Sequence, residues 1–97
     1  MKIDLGNYKY CEDSELEELG KIKDKILLKF HFKVNGTLFK TLSGTYVFYG
    51  RVYDMETGFD KIRGWTIIPK DDAREYLSLC DTINENNKWD LLGYEKV

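Results

Sequence analysis

The feature that most limits how this chain folds is an alternation of apolar and polar side chains from residue 26. Apolar residues occupy every second position, and from residue 29 polar residues lie between them: Ile26, Leu28, Phe30, Phe32 and Val34 against Lys29, His31, Lys33 and Asn35. Successive side chains of a β-strand point to opposite faces, so this period predicts a strand with one buried face. Asn35-Gly36 follows, and because both residues tolerate positive φ the pair predicts a type I′ hairpin turn. That turn would place Phe30, Phe32 and Phe39 on one face.

Two more strands are predicted in the middle of the chain. Residues 45–53 form a β-branched and aromatic run, and residues 59–68 form a second one after the turn-like residues 54–58. Pro69 should end the sheet because it has no N–H to donate to a neighbouring strand. Successive strands with short connections predict an antiparallel meander.

Helical signals lie on both sides of these strands. Ser14 with Glu17 has the spacing of a capping box, and Gly20 is a stop signal, so residues 14–20 are predicted to form a short helix. A longer helix over residues 72–84 is predicted after Pro69, with Asp71 or Asp72 as its cap and apolar residues at helical spacing: Ala73, Tyr76, Leu77, Cys80 and Ile83. The apolar segment from Trp89 to Tyr94 should return as a fifth strand or pack across that helix.

The predicted fold is therefore α+β: an antiparallel β-meander of four to five strands, with one main C-terminal helix packed on one face and a short N-terminal helical segment. At 97 residues and 42% hydrophobic, the chain has the size of a single domain, residues 1–97. The acidic first 25 residues and the lack of a run of ~20 apolar residues predict a cytoplasmic protein that is not membrane-bound. Cys11 and Cys80 are expected to be reduced, buried thiols.

Catalytic and metal-binding motifs are missing from the sequence. His31 is the single histidine, and its place among lysines on the polar face of a strand favours a solvated side chain. One histidine and two cysteines do not supply a zinc-ligand spacing, and the acidic residues around Asp54 lack the ligand order of a calcium loop. No glycine-rich phosphate-binding motif occurs. We therefore expect a protein that is not an enzyme, with no cofactor and no metal.

Charge is unevenly distributed along the chain. The formal net charge is -2, but residues 26–70 hold seven Lys and Arg against three Asp and Glu, a net of +4. Residues 1–25 carry -2 and residues 71–97 carry -4. A basic sheet between acidic ends favours docking to a charged partner in one orientation.

The strongest candidate site combines aromatic and cationic residues on one predicted face of the third and fourth strands: Tyr49, Arg51, Tyr53, Lys61, Arg63 and Trp65. A five-residue turn over residues 54–58 would pair Tyr53 with Phe59 and Tyr49 with Arg63. It would also oppose Arg51 and Lys61, an unfavourable like-charge pair that a bound anion would explain and a one-residue register shift would remove. The alternative is that Tyr49, Tyr53 and Trp65 are ordinary core or tail packing.

These patterns predict a small non-enzymatic interaction protein, of the inhibitor, immunity or adaptor type, that binds a larger protein partner. In composition alone the chain resembles small accessory proteins of phages and mobile elements. The alternative is a binder of a nucleotide or single-stranded nucleic acid through the aromatic and cationic face, although a pI of about 5.4 argues against duplex binding. A third hypothesis is nucleic-acid mimicry by the acidic ends. The sequence does not distinguish a monomer from a homodimer.

Overall fold

The structure is a computed structural model that describes residues 1–83. The elements follow in chain order as β1 (Lys2–Gly6), β2 (Lys9–Glu12), a 3₁₀ turn (Asp13–Glu15), β3 (Leu16–Leu27), β4 (Phe32–Thr41), β5 (Tyr46–Asp54), β6 (Phe59–Ile68), α1 (Lys70–Ser78) and β7 (Thr82–Ile83). β1 and β2 form a separate antiparallel hairpin, and the other strands form one antiparallel sheet in the order β6-β5-β4-β3-β7. The predicted antiparallel meander with one helix is confirmed.

One face of the sheet packs against α1. Val34, Leu38, Phe48 and Val52 are fully buried there, and the ring of Phe48 meets Tyr76 of the helix edge-on at 5.4 Å. Burial of this apolar surface is the main favourable contribution to folding.

The opposite face packs against the β1 and β2 hairpin over part of its area. Ile3, Leu5 and Cys11 of the hairpin bury Val47 of β5, with Trp65 and other half-buried apolar side chains at the margin. The sheet is therefore a central layer between the helix and the hairpin. Among residues 1–83, the hairpin leaves the other half of its face uncovered.

The prediction of a helix over residues 14–20 is wrong. A capping box does form, but between Glu12 and Glu15 around the 3₁₀ turn, and from Leu16 onward the chain is β3. A helix of two turns is marginal by itself. The strand buries Leu19 and Ile22 and satisfies its backbone along β4, so the tertiary contacts prevail over the local signal.

The prediction of a hairpin turn at Asn35-Gly36 is also wrong, because both residues lie inside β4. The chain reverses earlier, at residues 28–31, where the amide of Phe30 donates to the carbonyl of Leu27 at 3.2 Å. Gly36 is needed for close strand packing instead. A Cβ at this position would overlap the carbonyl oxygen of Tyr49 and lie 2.9 Å from the Cα of Gly50.

The different turn separates the three phenylalanines that were expected to cluster. Phe30 and Phe32 stack at 5.3 Å on the helix side of the sheet. Phe39 lies on the hairpin side, 5.4 Å from Trp65 between ring centroids. Residues an odd number apart on β4 point to opposite faces, which is why Phe32 and Phe39 separate.

The elements after β4 agree more closely with the predictions from the sequence, apart from the helix. The strands predicted at residues 45–53 and 59–68 are confirmed as β5 and β6. The helix is shorter than predicted, because it ends at Ser78. Its N-cap is Pro69, and Asp71 and Asp72 lie in its first turn.

The helix is also not the C-terminal element. The amide of Asp81 donates to the carbonyl of Lys21 at 2.8 Å and draws the chain onto the β3 edge, where β7 pairs. Cys80 and Ile83 therefore lie beyond the helix rather than on its apolar face. The expected strand or helix contact of residues 89–94 lies outside the described residues.

Candidate binding face

The uncovered half of the sheet forms a small surface of three rows that run across the strands. We call it the open face and define it by the row Thr37, Tyr49 and Trp65, the row Asn35, Arg51 and Arg63, the pair Lys33 and Tyr53, and Asp24 at the side of β3. Residues in one row are hydrogen-bonding neighbours on β4, β5 and β6, and successive rows are two residues apart. Their side chains therefore point to the same side.

The register between β5 and β6 differs from the predicted one by two residues. Arg51 lies opposite Arg63 rather than Lys61, Tyr49 opposite Trp65, and Tyr53 opposite Asp60. One residue of the shift arises at the turn, where Asp54 pairs with Phe59, and the second at a bulge between the Tyr53–Asp60 and Val52–Ile62 pairs. Because the two shifts sum to an even number, Tyr49, Arg51, Arg63 and Trp65 keep the face that was predicted for them. Phe59 lies between the turn and the bulge, pairs with Asp54 instead of Tyr53 and leaves that face.

Asp54 stabilises the turn that sets this register. Its side-chain Oδ1 accepts hydrogen bonds from the amides of Glu56 at 2.9 Å and Thr57 at 3.3 Å, and its carbonyl accepts one from Gly58 at 2.9 Å. An Asp side chain that bonds the amide two residues on is a common turn signal. The turn is thus encoded locally, whereas the bulge is not.

The bulge isolates Lys61 from the ladder. Val52 pairs with Ile62 and Tyr53 with Asp60, so Lys61 has no residue directly opposite it and is exposed at the edge of the sheet. It stands beside the rows of the open face instead of within them.

Two arginines at the centre of the open face oppose each other across β5 and β6. The Nε of Arg51 donates to Oδ1 of Asp60 at 2.6 Å, and its guanidinium lies 5.3 Å from the centre of the Tyr53 ring. Within residues 1–83, Arg63 forms no ion pair or hydrogen bond through its side chain. Asp60 therefore pairs with one of the two opposed guanidinium groups and, among the described residues, none pairs with the other.

The aromatic row combines packing with exposure. The rings of Tyr49 and Trp65 lie 4.5 Å apart between centroids, and Trp65 is half-buried at the margin of the hairpin cluster. Tyr49 is 48% exposed, a large value for an aromatic side chain in the middle of a sheet. Core packing thus explains the position of Trp65, whereas one side of the Tyr49 ring is exposed for contact.

A depression of about 240 Å³ lies next to the arginine row. It is lined by Asp24, Lys33, Asn35, Arg51 and Tyr53. Asp24 has a φ of 48° at a bulge of β3 between Ile22 and Lys25. Positive φ values in residues other than glycine are uncommon and are enriched at functional positions.

Three of these lining residues were absent from the sequence prediction. Lys33 and Asn35 are on the polar positions of the alternation from residue 26, but the turn predicted at Asn35-Gly36 gave that strand the wrong pairing and did not place them beside Arg51 and Tyr53. Asp24 carried no usable signal, because the β3 bulge that places it depends on pairing with β4.

Other reactive side chains lie in ordinary surroundings. His31 is exposed in the turn before β4, with its Nδ1 3.8 Å from Glu56. Cys11 and Cys80 are free thiols, and burial is the main cause that raises the pKa of Cys80 to about 11 and also raises the pKa of Cys11. Such thiols stay protonated at neutral pH and are weak nucleophiles. No group of three metal-ligating side chains occurs in the described part of the chain.

Comparisons with known proteins identify no family for this chain. No protein-family model matches the sequence, and no curated protein or solved structure is significantly similar to it. No helix formed by residues 1–83 has the length and apolar character to cross a membrane.

Proposed function

We propose that this protein is a non-enzymatic interaction module, of the inhibitor, immunity or adaptor type, that binds a larger protein partner through the open face. The observation that carries the proposal is the opposed pair of Arg51 and Arg63 next to the aromatic row of Tyr49 and Trp65. Arg, Tyr and Trp are the residue types that dominate binding energy in protein interfaces, where they combine a large apolar area with directed polar groups.

The cost of the arrangement also supports a binding role. Like charges placed directly opposite each other on neighbouring strands destabilise a sheet. An anionic group between Arg51 and Arg63 would turn that repulsion into two attractive interactions. The same pair also supports the second candidate, a nucleotide or a single nucleic-acid strand, because bases stack on aromatic rings and phosphates bind guanidinium groups.

The experiment is a capture from host lysate with three forms of the tagged full chain: wild type, Tyr49→Ser combined with Arg63→Gln, and a control, Leu28→Ser combined with Lys70→Gln. The control changes one exposed apolar and one exposed basic residue that lie outside the open face. Each lysate is divided into nuclease-treated and untreated halves. We expect a discrete protein captured by wild type and control but not by the open-face variant, in both halves.

Two other results would redirect the assignment. A captured protein that all three forms retain equally would show that the open face is not the interface. A raised ratio of absorbance at about 260 to 280 nm, lost with the open-face variant and with no protein partner, would favour the nucleotide or nucleic-acid candidate; nuclease sensitivity would then separate polymer from small molecule.

The cytoplasmic location is part of the same proposal. Cys11 and Cys80 are both free thiols, the state in which cysteines persist in reducing compartments.

A further inference from the structure

We propose that the partner segment bound by the open face is an acidic stretch of polypeptide, with a carboxylate on the Arg51 and Arg63 pair and a neighbouring apolar side chain on Tyr49. This inference rests on the proposed function and specifies the chemistry of the partner.

Charge is the first support. Arg51, Arg63, Lys33 and the bulge residue Lys61 are cations in or beside the open face, and Asp24 and Asp60 are its carboxylates. The surface therefore has a positive balance on a chain whose formal net charge is -2. Within residues 1–83, Lys33, Lys61 and Arg63 form no ion pair.

The geometry of the arginine pair favours a carboxylate. A guanidinium group is a planar fork of N–H donors that binds a carboxylate through two parallel hydrogen bonds. Arg51 uses its Nε for Asp60, which leaves its terminal nitrogens free. Arg63 has its whole fork free in the described part of the chain. Two forks on adjacent strands can therefore hold one or two carboxylates.

The depression distinguishes a peptide from a nucleic-acid strand. Its walls include the carboxylate of Asp24 and the amide of Asn35 beside Lys33 and Arg51. A phosphodiester backbone carries a negative charge at every nucleotide and would face Asp24 and Asp60 as well as the arginines. A polypeptide carries N–H donors as well as carboxylates, so its backbone can donate to Asp24 while a side chain binds the arginines.

Spacing and stacking support the same choice. Rows of the open face lie two residues apart, about 7 Å along a strand, and side chains on one side of an extended peptide have the same separation. A peptide with an acidic residue and an apolar residue two positions apart can thus place one on the arginine row and the other on the aromatic row. Trp65 packs on both Tyr49 and Phe39, so its rings are not free to sandwich a base.

The test is a titration of the isotope-labelled full chain, followed by its backbone amide signals, with three probes. The first is a short synthetic peptide in which glutamate and leucine lie two positions apart, with serine between them; the second has glutamine in place of each glutamate, and the third is oligothymidylate. We expect saturable shifts from the acidic peptide at β4, β5 and β6 residues of the open face, and affinity at least about tenfold weaker for the other two.

Matched variants then assign the effect to the arginine pair. Arg63→Gln and Lys70→Gln each remove one exposed positive charge, but only Arg63 belongs to the open face. We expect the acidic peptide to bind Arg63→Gln about tenfold more weakly and Lys70→Gln as well as wild type. Weakening of binding between about 0.05 and 0.5 M salt should accompany this loss.

Several outcomes would overturn the inference. They are tighter binding of oligothymidylate at the open face, equal losses in the two variants, no saturable shifts at all, or shifts without any probe that grow with protein concentration and indicate a second copy of the chain. If the peptide fails while lysate capture still depends on Tyr49 and Arg63, the partner is a protein of different chemistry. If the open-face variant also captures the same protein as wild type, the proposed function itself is wrong.

Discussion

Replacing Arg63 with glutamine is expected to stabilise the fold and to weaken binding at the open face. Arg63 lies directly opposite Arg51, and in the described residues no carboxylate pairs with it. Opposed like charges on neighbouring strands destabilise a sheet by roughly 0.2–1 kcal/mol. Glutamine removes the charge from an exposed side chain and leaves the core contacts of the sheet intact, so the change should relieve repulsion with little loss of packing.

The size of the effect follows from the exposure of the pair. Two unit charges about 7 Å apart in water repel by about 0.6 kcal/mol. With a Debye length of about 30 Å at 0.01 M salt and about 8 Å at 0.15 M, this falls to about 0.5 and about 0.25 kcal/mol. For a chain of this size, 1 kcal/mol corresponds to a Tm change of about 4–8 °C. Asp60 offsets part of the Arg51 charge, so these values are upper limits. We expect Arg63→Gln to raise Tm by up to about 2–4 °C at low salt and up to about 1–2 °C at 0.15 M.

Scanning calorimetry at low, physiological and about 1 M salt would measure this gain, with Lys61→Gln as the matched control. Lys61 is also exposed and positively charged, but the bulge leaves it without a residue directly opposite. Its removal should change Tm by less than half as much. A lower Tm for Arg63→Gln, or a gain that persists unchanged at about 1 M salt, where the Debye length is about 3 Å, would refute the electrostatic reasoning.

Three further predictions concern the fold. Gly36→Ala should destabilise the protein by about 2 kcal/mol or more in urea unfolding, because the new Cβ would overlap the Tyr49 carbonyl; an unchanged midpoint would contradict the close approach of β4 and β5. Ile3→Ala should cost about 2–4 kcal/mol, because it opens a cavity between the hairpin and β5, and a loss under about 1 kcal/mol would show that the hairpin is weakly docked. Burial, with Asp72, raises the pKa of Tyr76 from 10.0 to about 12, so the folded state holds this proton more tightly, and stability is full below pH 10 and falls as the pH rises towards 12. Tyr76→Phe should therefore reduce the alkaline fall in the urea midpoint, and an identical fall in both proteins would exclude this group as its cause.

The candidate site shows where sequence reasoning succeeds and where it stops. Face sharing by Tyr49, Arg51, Tyr53, Arg63 and Trp65 was predictable because strand parity survives any even register shift. The individual partners were not, because a bulge adds a residue to one strand without a sequence signal in the other. An opposed cationic pair was expected, but its members changed from Arg51 with Lys61 to Arg51 with Arg63.

The amino-acid sequence alone determined the strands β5 and β6, the turn between them and the side on which their aromatic and cationic residues lie. These features depend on β-propensity, on the two-residue period and on the turn chemistry of Asp54, all of which act over a few residues. Local signals at residues 14–20 and at Asn35-Gly36 pointed elsewhere, towards a helix and a turn. Long-range contacts decided both.

Only the tertiary structure could decide those segments, because pairing with β4 and burial of Leu19 and Ile22 stabilise a strand more than two helical turns would stabilise a helix. Pairing of β4 with β5 places Gly36 against Gly50, where no side chain fits. Packing of the β1 and β2 hairpin on Val47 determines which part of the sheet the hairpin covers. The open face thus combines side chains of β3, β4, β5 and β6, and the packing of the hairpin sets its boundary.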